Sequence, residues 1–139
     1  MNLKPVVSRI TIYPVKSLDG LSLQKAVISE GGCLLHDREY AITDVKGNYI
    51  IGKTNKLVHL LRTSFDPEIR FISFRKFNET TQVNFNLQQE KSAIESYLSD
   101  FFGVKILFHQ NNTGRFLDVP DLAGNCDFDF EFKGSFSLV

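Results

Sequence analysis

The chain has 139 residues, 42% of them apolar, with 16 basic and 16 acidic residues that cancel to zero formal charge. That length fits one domain with a core of its own, and the charge balance excludes the broad basic footprint of a general nucleic-acid binder. No charged n-region and apolar h-region open the chain, and no apolar run reaches the length of a membrane span. A cytoplasmic protein without a membrane partner is therefore expected, with both cysteines, Cys33 and Cys126, reduced, although nothing in their spacing prevents them from pairing.

Short β-type runs dominate the first half. Residues 6–15 (VVSRITIYPV) read as a strand with Ile10 and Ile12 on one face and Arg9 and Thr11 on the other, ending or bulging at Pro14, which has no N–H to donate. After an Asp19-Gly20 turn, residues 21–29 read as a second strand. Residues 39–43 and 48–51 flank Val45-Lys46-Gly47 as a hairpin. Residues 57–61 and 70–74 are further strand candidates, and residues 81–87 alternate, with Val83, Phe85 and Leu87 set against Gln82, Asn84 and Asn86.

The period then changes. Ile94, Tyr97, Leu98, Phe101 and Phe102 recur at helical spacing within residues 90–102, with Glu90 at the N-terminal end and Gly103 as the stop. Residues 104–108 resume strand, and residues 111–125 have loop composition. The tail D-F-D-F-E-F over residues 127–132 alternates aromatic and acidic side chains, as a last strand, a frayed end or an exposed edge that recruits another chain. The expected fold is α+β and mainly β, a small barrel-like curved sheet with one late amphipathic helix, over residues 1–125, followed by a divergent tail over 126–139.

Chemistry concentrates at Tyr13-Pro14-Val15-Lys16-Ser17 and, about twenty residues on, at Asp37-Arg38. Lysine, a serine hydroxyl and arginine are the groups that hold a phosphate: a point charge, a short donor and a planar fork. The plainer readings are a solvated strand-end lysine, a turn serine, and an arginine paired with Asp37 or Glu39 or covering the barrel wall. His36, His59 and His109 are dispersed without metal-ligand spacing, and His59 reads as a packed residue with a satisfied ring nitrogen. Cys33 reads as a small buried hydrophobe. No G-x-S-x-G, G-x-G-x-x-G or Walker sequence occurs, so no complete catalytic site is expected in this chain alone.

The motif resembles the N-terminal β-barrel domain that precedes the MOSC domain (molybdenum cofactor sulfurase C-terminal) in molybdenum cofactor sulfurases and amidoxime-reducing components. The matching residues run Ile10-Thr11-Ile12-Tyr13-Pro14-Val15-Lys16-Ser17, Gly20, Gly31-Gly32, Asp37-Arg38-Glu39-Tyr40-Ala41-Ile42-Thr43-Asp44 and Gly47-Asn48-Tyr49. They continue through Ile51-Gly52-Lys53, Val58-His59, Ser99-Asp100-Phe101-Phe102-Gly103 and Gly114-Arg115-Phe116-Leu117-Asp118. The resemblance implies that Lys16, Ser17 and Arg38, with Lys53 at lower weight, grip the phosphate of molybdopterin. It also implies a MOSC-domain partner that supplies the molybdenum-ligating cysteine, since the chain ends about where that domain begins in relatives. The implied role is an accessory cofactor-binding domain of a molybdenum-dependent oxidoreductase or sulfurase system. The alternative is a stand-alone barrel that binds a small ligand or a protein and has no redox role, with the Phe-rich tail adding a strand to a neighbour's sheet.

Overall fold

A computed structural model describes residues 5–29, 32–111 and 129–133, the last of these as backbone. Eight strands and one α-helix follow in chain order: β1 (Val6–Ile12), β2 (Leu21–Leu23), β3 (Tyr40–Thr43), β4 (Leu61–Phe65), β5 (Phe71–Lys76), β6 (Gln82–Asn86), α1 (Lys91–Phe102), β7 (Leu107–Gln110) and β8 (Asp129–Lys133). A 3-10 turn over Lys56–Leu60 leads into β4. The domain is thus mainly β with one helix. The described ladders are antiparallel and form three separate sheets, β2-β1-β8, β3-β7 and β4-β5-β6, rather than one closed ring.

Several strands are shorter than the pattern predicts. β1 ends at Ile12, two residues before Pro14, whose carbonyl accepts from the Tyr40 N–H at 2.9 Å. The second strand stops at Leu23; further on, Ile28 bridges Leu34 in a separate hairpin. Residues 48–51 add only the Thr43–Tyr49 bridge, around a turn in which the Asp44 carboxylate accepts from the Lys46 and Asn48 N–H groups. Residues 57–60 form the 3-10 turn instead of a strand because the Asn55 side chain caps it, accepting from the Leu57 N–H at 3.0 Å. A short apolar run by itself does not separate these outcomes.

α1 presents Ile94, Leu98 and Phe102 to the core, with Tyr97 and Phe101 half-buried beside them. Gly103 stops it in the left-handed conformation (φ 71°), its N–H bonded to the Ser99 carbonyl. The helix then hands the chain to β7 through its own side chains: Ser99 Oγ accepts from the Ile106 N–H and Glu95 Oε2 from the Phe108 N–H, both at 2.8 Å. The strand starts at Leu107 rather than residue 104. Tyr97 stacks on Phe74 of β5 at 5.1 Å and meets Phe85 of β6 edge-on at 5.8 Å, joining the helix to the third sheet.

One apolar cluster unites all of this. Ile12, Val15, Tyr40, Ile42, Ile72, Phe74, Ile94, Leu98, Ile106 and Phe108 belong to it. Cys33 is half-buried and disulfide-bonded, which corrects the reading of two reduced thiols; Cys126 lies outside the described residues. Among the described residues no helix is long and apolar enough to cross a membrane. Since Leu98 is fully buried, Leu98→Ala is expected to lower stability by about 2–4 kcal/mol in urea denaturation, whereas Ser96→Ala on the exposed side should change it by less than about 0.5 kcal/mol.

Candidate functional site

The lysine and serine of the motif occupy a turn that closes from the Leu18 N–H to the Val15 carbonyl at 3.2 Å. Ser17 takes the third position with φ 72°, a conformation for which such turns ordinarily use glycine. Its side chain is exposed, but Lys16 is not a solvated strand end: it is only 4% exposed, rare for lysine. The Lys16 Nζ lies 5.2 Å from the centre of the Tyr49 ring. Asp19, just after the turn, accepts from the Thr63 N–H at 2.9 Å and so fixes the turn against β4.

The second half repeats this geometry. The Asp37 N–H bonds the Leu34 carbonyl at 3.1 Å, and His36 takes the third position with φ 68°. Arg38 follows, also left-handed at φ 51°. Non-glycine residues in this region cost about 1–3 kcal/mol each and persist only where surrounding contacts over-determine them. Here the determining contact is Asp37, 4% exposed. Its Oδ1 accepts from the Tyr13 N–H at 2.9 Å and from Arg38 Nη1 at 2.6 Å, while Oδ2 accepts from the same Nη1 at 2.8 Å. The Arg38 guanidinium also lies over the Tyr13 ring at 4.7 Å. Arg38 thus has the paired role expected of a structural arginine while its side chain stays 25% exposed.

The two halves run side by side. Arg38 N–H bonds the Tyr13 carbonyl at 2.7 Å, Tyr40 N–H the Pro14 carbonyl, and Lys16 N–H the Tyr40 carbonyl, with Val15 and Tyr40 as parallel partners. Lys16, Ser17 and Arg38 therefore occupy adjoining segments. Lys53 is exposed on the separate turn over residues 52–54. Beside it, Gly52 lends its carbonyl to His59 Nε2 at 3.3 Å, so His59 has the expected ring-nitrogen partner but is exposed rather than packed.

Sequence reasoning did not place several residues around the motif. Val15, Tyr40, Ile42, Ile50 and Phe108 face the core. By strand alternation Lys16, Ala41, Thr43, Tyr49 and His109 fall on the opposite face of β3, since Thr43 pairs with Tyr49 and Ala41 with His109. The Thr43 hydroxyl lies 2.7 Å from His109 Nε2. The signal was the alternation itself: Thr43 and Tyr49 each adjoin a core isoleucine, which puts them on the other face. The donors Lys16, Ser17 and Arg38 suit the oxygens of a phosphate. Among the described residues no group of three His, Cys, Asp or Glu side chains is arranged for a metal ion.

Tyr40 anchors the site from the core side. It stacks on Phe108 at 5.1 Å, and its hydroxyl accepts from Gln88 Nε2 at 2.8 Å. Burial pushes its phenol well above the ordinary value of 10.0; the nearby Glu39 charge adds to this and the Gln88 bond opposes it. A phenol whose proton is held more tightly in the folded state contributes stability that is fully present below about pH 10 and is lost as pH rises above it. Melting temperatures followed from about pH 9 to 11 should therefore fall more steeply for the wild type than for Tyr40→Phe, which gives up about 1 kcal/mol at neutral pH with the Gln88 bond. Asp37→Ala strands the Tyr13 N–H and Arg38 and is expected to cost about 1–3 kcal/mol in urea denaturation; Asp37→Asn, which keeps an acceptor for Tyr13, should cost less.

Among curated proteins none matches the chain. A family model does: residues 4–97 match the MOSC N-terminal beta barrel domain. The match spans both halves of the Lys16 and Arg38 motif and more than half of the sequence, and the chain belongs to that family.

Proposed function

We propose that this domain is the accessory, anion-binding part of a MOSC-type molybdenum system. Lys16, Ser17 and Arg38 would hold the phosphate of molybdopterin, with Lys53 contributing at lower weight, and a MOSC-domain partner would supply the metal ligand. The bound cofactor would bring the redox or sulfur-transfer chemistry; the residues of this chain bind and orient its phosphate end. The observation that most supports the reading is the parallel pairing of residues 13–16 with 38–40, which sets a buried lysine, an exposed turn hydroxyl and a clamped arginine on adjoining segments. Family membership supports the association with MOSC enzymes. The proposed setting is cytoplasmic, where the disulfide at Cys33 would be an exception to the usual reduced state of thiols.

A second reading, a protein-binding module with no redox role, draws on Val27, Ile28 and Leu35, which are 61%, 59% and 42% exposed and which the 27–35 hairpin gathers at one edge.

An amide NMR titration of the purified chain with molybdopterin, with inorganic phosphate as control, separates the two. Saturable shifts centred on Lys16, Ser17 and Arg38, weakened about tenfold or more in Lys16→Ala/Arg38→Ala with the fold intact, are expected if the phosphate grip is correct. Unchanged affinity in the double variant would overturn it.

A further inference from the structure

We propose that Thr43 and His109 are oxyanion-binding residues that complete, with Lys16, a donor face on the side of β3 turned away from the core. The inference rests on the anion-binding reading of Lys16 and adds two residues to it, one of them titratable.

Register and hydrogen bonding carry the argument. Lys16 lies beside Ala41 because its N–H bonds the Tyr40 carbonyl and Val15 pairs with Tyr40. On the same face, His109 is the cross-strand partner of Ala41, and Tyr49, which carries the Lys16 ammonium against its ring, is the partner of Thr43. Three segments thus bring an ammonium, a hydroxyl and an imidazole to one side of a four-residue strand. Lys16 and Thr43 are buried, at 4% and 5% exposure, His109 is half-buried, and Tyr49, 37% exposed, with Ser17 forms the open rim.

The Thr43–His109 bond of 2.7 Å gives the pair a directional property. A threonine hydroxyl has one proton and two lone pairs. If His109 Nε2 is unprotonated, the Thr43 proton points at it. If Nε2 carries a proton, the ring donates to Thr43 Oγ1 and the hydroxyl proton turns away, free to donate to a bound oxyanion. A protonated imidazole permits only the second arrangement and adds positive charge to the face that Lys16 shares. Anion and proton therefore bind together, each strengthening the other. Histidine is the side chain whose ordinary titration falls between pH 5 and 8. Among the described residues the charged and titratable groups around His109 are Lys16 and Tyr49 across β3, Tyr40 on the opposite face of that strand, Glu39 at its start, and Glu95, which reaches from α1 to the Phe108 N–H.

Sulfate is the suitable probe because its charge is constant over this pH range. Calorimetric titration of the purified chain should show sulfate affinity rising about tenfold from about pH 8 to pH 6, the equivalent of one charge-assisted contact. His109→Gln should keep the pH 8 affinity within about twofold and flatten the profile, since a glutamine amide donates without gaining charge. Thr43→Val should weaken binding about fivefold at both pH values, and Thr43→Ser should restore it, a rescue that separates the hydroxyl from its packing role. A wild-type pH profile retained by His109→Gln, or Thr43→Val binding as well as Thr43→Ser, would overturn the assignment. Exclusion of glycerol 3-phosphate at pH 8 by a site that binds sulfate would overturn its extension to a phosphorylated organic ligand. Unchanged sulfate affinity in Lys16→Ala would instead overturn the anion-binding reading itself.

Discussion

The carboxylate of Asp37 is the contact on which the rest of the site depends. It is buried, and it closes the gap between two segments 24 positions apart by accepting from the Tyr13 N–H while gripping the guanidinium of Arg38. A buried carboxylate is costly unless paired and hydrogen-bonded; here both oxygens are used. The backbone bonds that follow, from Tyr13 through Lys16 on one side and Arg38 through Tyr40 on the other, join the end of β1 to the start of β3. They set the direction in which Lys16 and Arg38 leave the chain.

Around that seam the backbone adopts its least favourable conformations. Of the four non-glycine residues with positive φ among those described, three are Ser17, His36 and Arg38. Strain gathered at one place is maintained by the contacts that surround it, and here these include the Asp37 bonds, the Tyr13 ring and the core residues Val15, Leu34 and Tyr40. Two matching turns, each with a left-handed third residue, hold the lysine and arginine segments in register. A glycine at Ser17 would relieve the local strain, but it would remove the exposed hydroxyl.

The far side of the domain serves the site through β7. The apolar face of α1 supplies much of the packing, yet the register of β7 is set by polar side chains of the same helix: Ser99 and Glu95 take the Ile106 and Phe108 N–H groups. Phe108 then stacks on Tyr40, and the next residue, His109, falls opposite Ala41 beside Thr43. The placement of an imidazole on the outer face thus depends in part on helix side chains that bond the strand from the core side.

The sequence by itself determined the mainly-β composition, the helix with its Gly103 stop, the alternating β6 and the family, because these follow from local period and from a contiguous motif. Pro14 marked the end of β1 for the same local reason. The 3-10 turn at Lys56–Leu60 and the start of β7 depend on polar side chains that the apolar pattern does not register: Asn55 caps the turn, and Ser99 and Glu95 take the Ile106 and Phe108 N–H groups. Lys16, Ser17 and Arg38 were legible as candidates from residue type and spacing. That Lys16 is buried, that Arg38 is clamped by its neighbour, and that Thr43, Tyr49 and His109 share the lysine's face was decided only by tertiary structure. Burial and cross-strand partnership are properties of pairs of segments, and no single segment encodes its partner.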